Sequence, residues 1–258
     1  MNASPKPDGD GVRSPLMRWT PGPEAKALAD LWSGLTQLAL AAVLAFALLD
    51  AWVPPQHLPW KPLRIADPVG RATAGKVARL KDDPGVCLAV LREGGIRAAP
   101  APERDDGGFC VVEDAVRVRG GLTAAAPSDV VMRCPLAVGL AIWERHELQP
   151  AARETLGSEV RRIDHFGTYA CRRMYGASSG RPSEHARANA FDVSGVRLAD
   201  GRRVTVAADW PQTDAESRFL RRVREGACRV FQVTLSPDYN RAHADHLHLD
   251  MGPWRACR

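Results

Sequence analysis

Residues 183–192 read SEHARANAFD and residues 243–250 read HADHLHLD, and together they hold four of the chain's seven histidines. In the second stretch His246 and His248 are two apart with Asp250 next in step. On a strand these three point to one face while Leu247 and Leu249 face the core. In the first stretch His185 and Asp192 are joined through small residues that let the chain turn back and enter a strand. One imidazole from His185, the carboxylate of Asp192 and an imidazole from the second stretch make three ligands with an open fourth position, the arrangement that a catalytic zinc requires. Taken singly, each histidine reads better as a surface or core residue; the spacing is what sets these apart. His57, His146 and His165 carry no such pattern and read as structural or solvated.

Short apolar runs suited to strands surround the two stretches: residues 167–174 (GTYACRRM), 189–195 (NAFDVSG), 201–207 (GRRVTVA), 229–235 (RVFQVTL) and 246–251 (HLHLDM). A helix is expected from about Pro135, with Leu136, Leu140 and Trp143 on one face. A second is announced by Thr213 and Glu216 in capping-box spacing, followed by Phe219, Leu220 and Val223. Shorter helices fit residues 74–80 and the stretch after Asp83, which Gly94 and Gly95 stop. Residues 97–109 read as a polar loop, followed by a strand or hairpin over residues 110–118 and 121–124. Strands mixed with a few long helices predict an α+β fold, an antiparallel sheet with helices packed on one side.

Toward the N-terminus, LWSGLTQLALAAVLAFALL carries no charge between Asp30 and Asp50. Its nineteen residues cover about 29 Å as a helix, the thickness of a bilayer's hydrocarbon. Lys6, Arg13, Arg18 and Lys26 precede it and only Lys61 and Arg64 follow closely, which favours the N-terminus inside. A cleaved signal peptide competes, but the long polar lead and the lack of a cleavage site outside the apolar run favour an uncleaved anchor. Residues 54–68, with five prolines in fifteen, suit a stiff extended spacer. All six cysteines follow the apolar segment. An even set on the exported side predicts disulfides formed in an oxidising space, and fifteen pairings are open. No two are spaced for a zinc knuckle.

The 258 residues allow one or two domains. Lys and Arg number 35 against 30 Asp and Glu, a net charge of +5 with no uninterrupted basic run. That argues against nucleic acid; it would suit an anionic cell wall or lipid headgroups equally, so charge alone chooses no partner.

Ser183, His185, Ala190 and Asp192 resemble the SxHxxGxAxD signature of the LAS metallopeptidases, the superfamily of D-alanyl-D-alanine carboxypeptidases and murein endopeptidases; His246-Leu247-His248 resembles its HxH. More closely, CRRMYG, SEHARANAFDVSG, the DW at Asp209 and LSPDYNRAHADHLHLDMG resemble the bacterial extensin-like C-terminal domain family, over about residues 66–254. The resemblance implies a LAS/hedgehog-like antiparallel sheet with flanking helices, preceded here by one transmembrane helix. It implies Zn2+ held by His185, Asp192 and His248, with His246 as the catalytic partner. Arg172 or Arg173, on the strand before the first motif, would engage a substrate carboxylate or carbonyl, and Ser183 would orient the loop. Tyr239, Asn240 and His243 are cleft candidates by proximity in sequence alone. One departure stands out: the signature's glycine is Ala188 here, which at positive φ costs on the order of 1 kcal/mol.

The expected layout is a cytoplasmic tail over 1–30, an anchor over 31–53, a Pro-rich linker over 54–68, and an extensin-like domain over 69–258 with its metal-site core at about 160–254. The expected function is a zinc-dependent hydrolase of peptidoglycan peptide bonds, an endopeptidase or carboxypeptidase, anchored in a bacterial inner membrane with its domain in the periplasm. A noncatalytic, metal-holding envelope-binding protein is the competing class.

Overall fold

A computed structural model describes residues 22–258. Residues 1–21, with the Lys6, Arg13 and Arg18 used to orient the anchor, lie outside the described residues. The chain divides into two units, one ending at Trp52 and the other running from Val53 to Arg258. In the first, helix α1 (Pro23–Trp52) starts earlier than the expected anchor. Pro23 and Glu24 in its first turn suit a helix start, Pro because its missing N–H is not needed there and Glu because of the helix dipole. None of its residues is buried, and it is long and apolar enough to cross a membrane.

The second unit begins with a correction. Residues 54–68 are not a free spacer but a strap packed along the domain, with Leu58 and Ile65 buried. Prolines have no N–H to satisfy, so the strap's carbonyls are the groups that need partners. Lys76 Nζ donates to the Pro55 carbonyl at 2.6 Å, the Arg79 guanidinium to that of Pro59, and His146 Nε2–H to that of Ile65 at 2.8 Å. Ile65 lies so close to Gly94 that a Cβ there would sit 2.5 Å from its Cδ1, which explains the glycine.

Helices α2 (Thr73–Arg79) and α3 (Pro84–Glu93) follow, the latter capped by Asp83, whose Oδ1 accepts from the Val86 N–H at 2.9 Å. Six short strands come next: β1 (Arg97–Pro100), β2 (Arg104–Asp105), β3 (Val111–Val112), β4 (Ala115–Gly120), β5 (Ala124–Ala126) and β6 (Val131–Arg133). The expected loop over 97–109 thus contains β1, which finds its place by antiparallel pairing with β4. β1, β4 and β6 form a three-stranded antiparallel sheet and β2 and β3 a two-stranded one.

Helix α4 (Cys134–Trp143) has no single apolar face, because every one of its residues is buried. It continues through a five-residue π-helical segment, Glu144–Leu148, into α5 (Gln149–Leu156). The wider turn accommodates Pro150, which has no N–H to donate. Gly157, at φ 67°, ends α5 in the left-handed conformation that glycine takes without strain.

The main sheet is built from β5, β7 (Val160–His165), β8 (Ala190–Leu198), β9 (Arg203–Thr205), β10 (Val233–Leu235), β11 (Leu247–Asp250) and β12 (Ala256–Cys257). Its order is β12-β10-β11-β8-β7-β5, with β9 also on β8. The α+β class holds, but the sheet is mixed rather than antiparallel throughout: β5 runs parallel to β7 and β12 parallel to β10. Strand β7 has no counterpart in the sequence expectations, since Arg161, Arg162 and Asp164 hide its apolar positions. Conversely, residues 167–174 are not a strand. They are tied down individually, by the Cys110–Cys171 disulfide and by Thr168 Oγ1 donating to the Val131 carbonyl at 2.6 Å. Arg173 makes only an isolated bridge to Pro182. Of residues 201–207 only β9 is extended, the chain turning into α6 (Val206–Asp209); of 229–235 only β10 is extended.

Helix α7 (Ala215–Ala227) is capped by Asp214, one residue past the expected Thr213, with Oδ1 accepting from the Ser217 N–H at 2.9 Å. Its Phe219, Leu220 and Val223 are buried, and Trp143 Nε1 donates to the Val223 carbonyl at 3.1 Å. The core centres on Trp143, Phe219 and Phe231, with Leu247 and Leu249 from beneath β11. Of the fifteen open pairings, the disulfides formed are Cys87–Cys134, Cys110–Cys171 and Cys228–Cys257.

Candidate metal centre

The centre is assembled by two neighbouring strands and one turn. β8 and β11 pair antiparallel with Asp192 directly opposite His248, so their side chains meet on one face of the sheet. His248 Nδ1 and Asp192 Oδ1 are 2.8 Å apart. His185 arrives from a 3-10 turn, Glu184–Arg187, whose first N–H groups are capped by Ser183: its Oγ accepts from the His185 N–H at 3.3 Å. The turn ends at Ala188, at φ 52° and ψ 34°, the left-handed region where the signature has glycine. Its methyl is buried against Val112 and Ala115, and its carbonyl accepts from the Arg133 N–H at 2.9 Å, contacts that hold the conformation in place.

This turn puts His185 Nε2 at 3.0 Å from Asp192 Oδ2 and 3.3 Å from His248 Nδ1. One atom from each of His185, Asp192 and His248 thus lies within 4.8 Å of the others, and all three could hold a metal ion. Ligands about 2.0–2.1 Å from a tetrahedral zinc stand roughly 3.3 Å apart, so the spacing fits. The atoms behind fit too. His248 Nε2–H donates to Asp250 Oδ2 at 2.9 Å, and His185 Nδ1 is 3.2 Å from the Thr168 carbonyl. Each ring is therefore held by the nitrogen that is not offered to the metal, the usual support for ligating histidines.

The electrostatics of the metal-free site follow from this packing. Burial disfavours the Asp192 carboxylate, but hydrogen bonds from His185 and His248 outweigh it and hold the group well below the usual carboxylate range. Burial also disfavours the charged form of His248; the Asp192 and Asp250 carboxylates overcome this and raise it to about 9. His243 moves the other way, to about 4, through burial first and the neighbouring His248 and His246 second.

The centre forms one wall of a cleft of about 300 Å³. His246 stands beside it, with Nε2 3.6 Å from Asp192 Oδ1 and Nδ1 2.9 Å from Asp245 Oδ1. Of the two arginine candidates, Arg172 lines the cleft, whereas Arg173 donates to the Gly180 carbonyl and lies over the Phe109 ring at 4.7 Å. Neither sits on a strand.

Among the residues with only sequence proximity in their favour, Tyr239 and His243 line the cleft; Asn240 fixes His243, its Oδ1 accepting from Nδ1–H at 2.8 Å. Asp250, in step with His248 along the strand, is its partner, whereas two features had no sequence signal: the Thr168 carbonyl and a rim of Tyr175, Arg181 and Trp254, with the guanidinium stacked 4.4 Å over the indole. His165 lies outside the cleft lining, stacked on Phe191 at 4.6 Å, with Nε2–H donating to the Pro127 carbonyl at 2.8 Å. Trp210 is buried and donates to Asp238.

No curated protein and no solved structure matches the chain. The family described as Extensin-like protein C-terminus matches residues 85–258, which starts within α3 and takes in the whole centre. The chain, carrying its His-Asp-His cluster between β8 and β11, belongs to the extensin-like C-terminal family.

Proposed function

We propose that the domain is a zinc-dependent hydrolase of peptidoglycan peptide bonds, LAS-like in its site and sheet, held at the bacterial inner membrane by α1 and working in the periplasm. The observation that carries the reading is the convergence of His185 Nε2, an Asp192 oxygen and His248 Nδ1 at the wall of an open cleft, with an unligated His246 beside them. The three disulfides support an oxidising compartment.

His185, Asp192 and His248 would hold the zinc, which would supply Lewis-acid polarisation of a carbonyl and a more acidic water. The remaining roles belong to side chains. Asp245 accepts from His246 Nδ1–H, which leaves Nε2 free to take a proton from the nucleophile and return it to the leaving amine. Arg172, in the cleft lining, holds a carboxylate or carbonyl of the peptide. Val233, Leu235 and Met174 give the cleft an apolar portion, which strengthens these interactions by excluding water.

The test is metal analysis of the purified chain followed by incubation with muropeptides. Stoichiometric zinc with new amine termini supports the hydrolase; zinc without turnover leaves a metal-holding binding protein. His248→Ala should lose the metal, whereas His246→Ala should keep it and lose turnover. Equal zinc content in His248→Ala and the unmodified chain would refute the assignment.

A further inference from the structure

A second cavity, of about 400 Å³, lies between the three-stranded sheet and the main sheet. Small-molecule sites usually span roughly 300–1,000 Å³. Val118, Leu122, Val130, Met132, Trp143 and Phe191 give it apolar walls, and the exposed Arg119, Ser128 and Asp129 complete the lining. Phe191 precedes Asp192 on β8, so the two side chains leave opposite faces of the strand, and this cavity is separate from the metal cleft.

Two acids stand in this lining: Asp129 is exposed and paired with Arg117, and Glu144 is half-buried. Glu144 opens the π-helical segment between α4 and α5, an irregularity that frequently marks functional sites. Its Oε1 is fully engaged, accepting from the Thr123 N–H at 2.7 Å and from the Thr123 hydroxyl. Gln149 Nε2 donates to that hydroxyl oxygen at 3.2 Å, so the Thr123 proton is committed to Glu144. Oε2 has no hydrogen-bond partner among the described residues, and no side-chain cation lies within 4 Å of the carboxyl. Burial pushes the group above its ordinary range in spite of the two Thr123 bonds.

A carboxylate held through one oxygen, with the other unpaired in the lining of a cavity, is half of an ion pair. A neutral apolar ligand would leave that charge unpaired, and a metal ion needs several carboxylate or carbonyl oxygens, whereas Asp129, the other acid of the lining, is held by Arg117. We infer that this cavity binds an organic amine, its ammonium on Glu144 Oε2 and its hydrocarbon body against Met132, Trp143 and Phe191.

The probes are benzylamine and its uncharged analogue benzyl alcohol, titrated by ligand-observed NMR into the zinc-loaded full chain in nonionic detergent. The variant is Glu144→Gln, whose amide oxygen can still accept from Thr123, used after its melting temperature and zinc content are shown unchanged. Benzylamine should bind saturably and lose at least tenfold in affinity in the variant, while benzyl alcohol should not distinguish the two proteins. Equal benzylamine affinity in both proteins, or no saturable binding to the unmodified chain, overturns the inference.

Discussion

Replacing Asp250 by Asn should weaken zinc binding about 10- to 100-fold although Asp250 is not a ligand. One carboxylate oxygen accepts from the Gly252 N–H at 2.8 Å and the other from His248 Nε2–H at 2.9 Å. An asparagine has one acceptor. If its carbonyl stays on the Gly252 N–H, its amide nitrogen faces His248 Nε2 and can only donate. His248 must then carry its proton on Nδ1, the nitrogen that faces His185 and Asp192 and is needed for the metal. The penalty is the cost of the wrong tautomer, and loss of such a supporting partner usually costs 10–100-fold in metal affinity, or about 1.4–2.8 kcal/mol. The assay is competition between metal-stripped protein and a chromophoric zinc chelator, run on the unmodified chain, Asp250→Asn and His248→Ala, with circular dichroism to confirm folding. An Asp250→Asn affinity within threefold of the unmodified value, while His248→Ala loses binding, would refute the reasoning.

The remaining predictions concern protons, cross-links and the strap. In the metal-free chain His248 titrates near 9 against 6.5 when unfolded, so its stabilisation is complete below pH 6.5 and lost as pH rises toward 9. Asp192, depressed from 3.8, adds stability above that pH and loses it as pH falls through its folded value. Zinc at the proposed centre would reverse the alkaline trend, because His248 Nδ1 must lose its proton to ligate: apparent affinity should rise about tenfold per pH unit up to about 9, read from thermal melts with and without metal. Replacing Cys87 and Cys134 by Ala opens a link of 47 residues between α3 and α4, and urea unfolding should show a loss of about 4 kcal/mol. Ile65→Ala, in the strap, should destabilise the domain by about 2–5 kcal/mol; a loss below about 1 kcal/mol would mean the strap is not part of the core.

Features whose cause lies within a few residues were legible. Asp83 caps α3 and the stop comes at Gly94; the HxH spacing places two imidazoles on one wall; the apolar run at 31–49 forms helix. Features that depend on a distant partner were not. The arginine-rich β7 is extended because β5 and β8 flank it, and the proline-rich strap is packed because Lys76, Arg79 and His146 take its carbonyls. Composition cannot report either, since polar residues next to an unseen partner look the same as polar residues in solvent. Which of Arg172 and Arg173 lines the cleft fell in the same class, since Arg173 is drawn to the Phe109 ring and the Gly180 carbonyl.

By itself the sequence determined which side chains are chemically capable of a metal centre, that an apolar segment precedes them, and that cysteines lie on one side of it only. These are properties of residue type and local spacing. The register that sets Asp192 opposite His248, the turn through Ala188 that carries His185 to them and the half-paired carboxyl of Glu144 in the second cavity were decided only by tertiary structure. Each depends on the pairing of segments tens of residues apart, where packing of the whole core, rather than any local preference, selects the register.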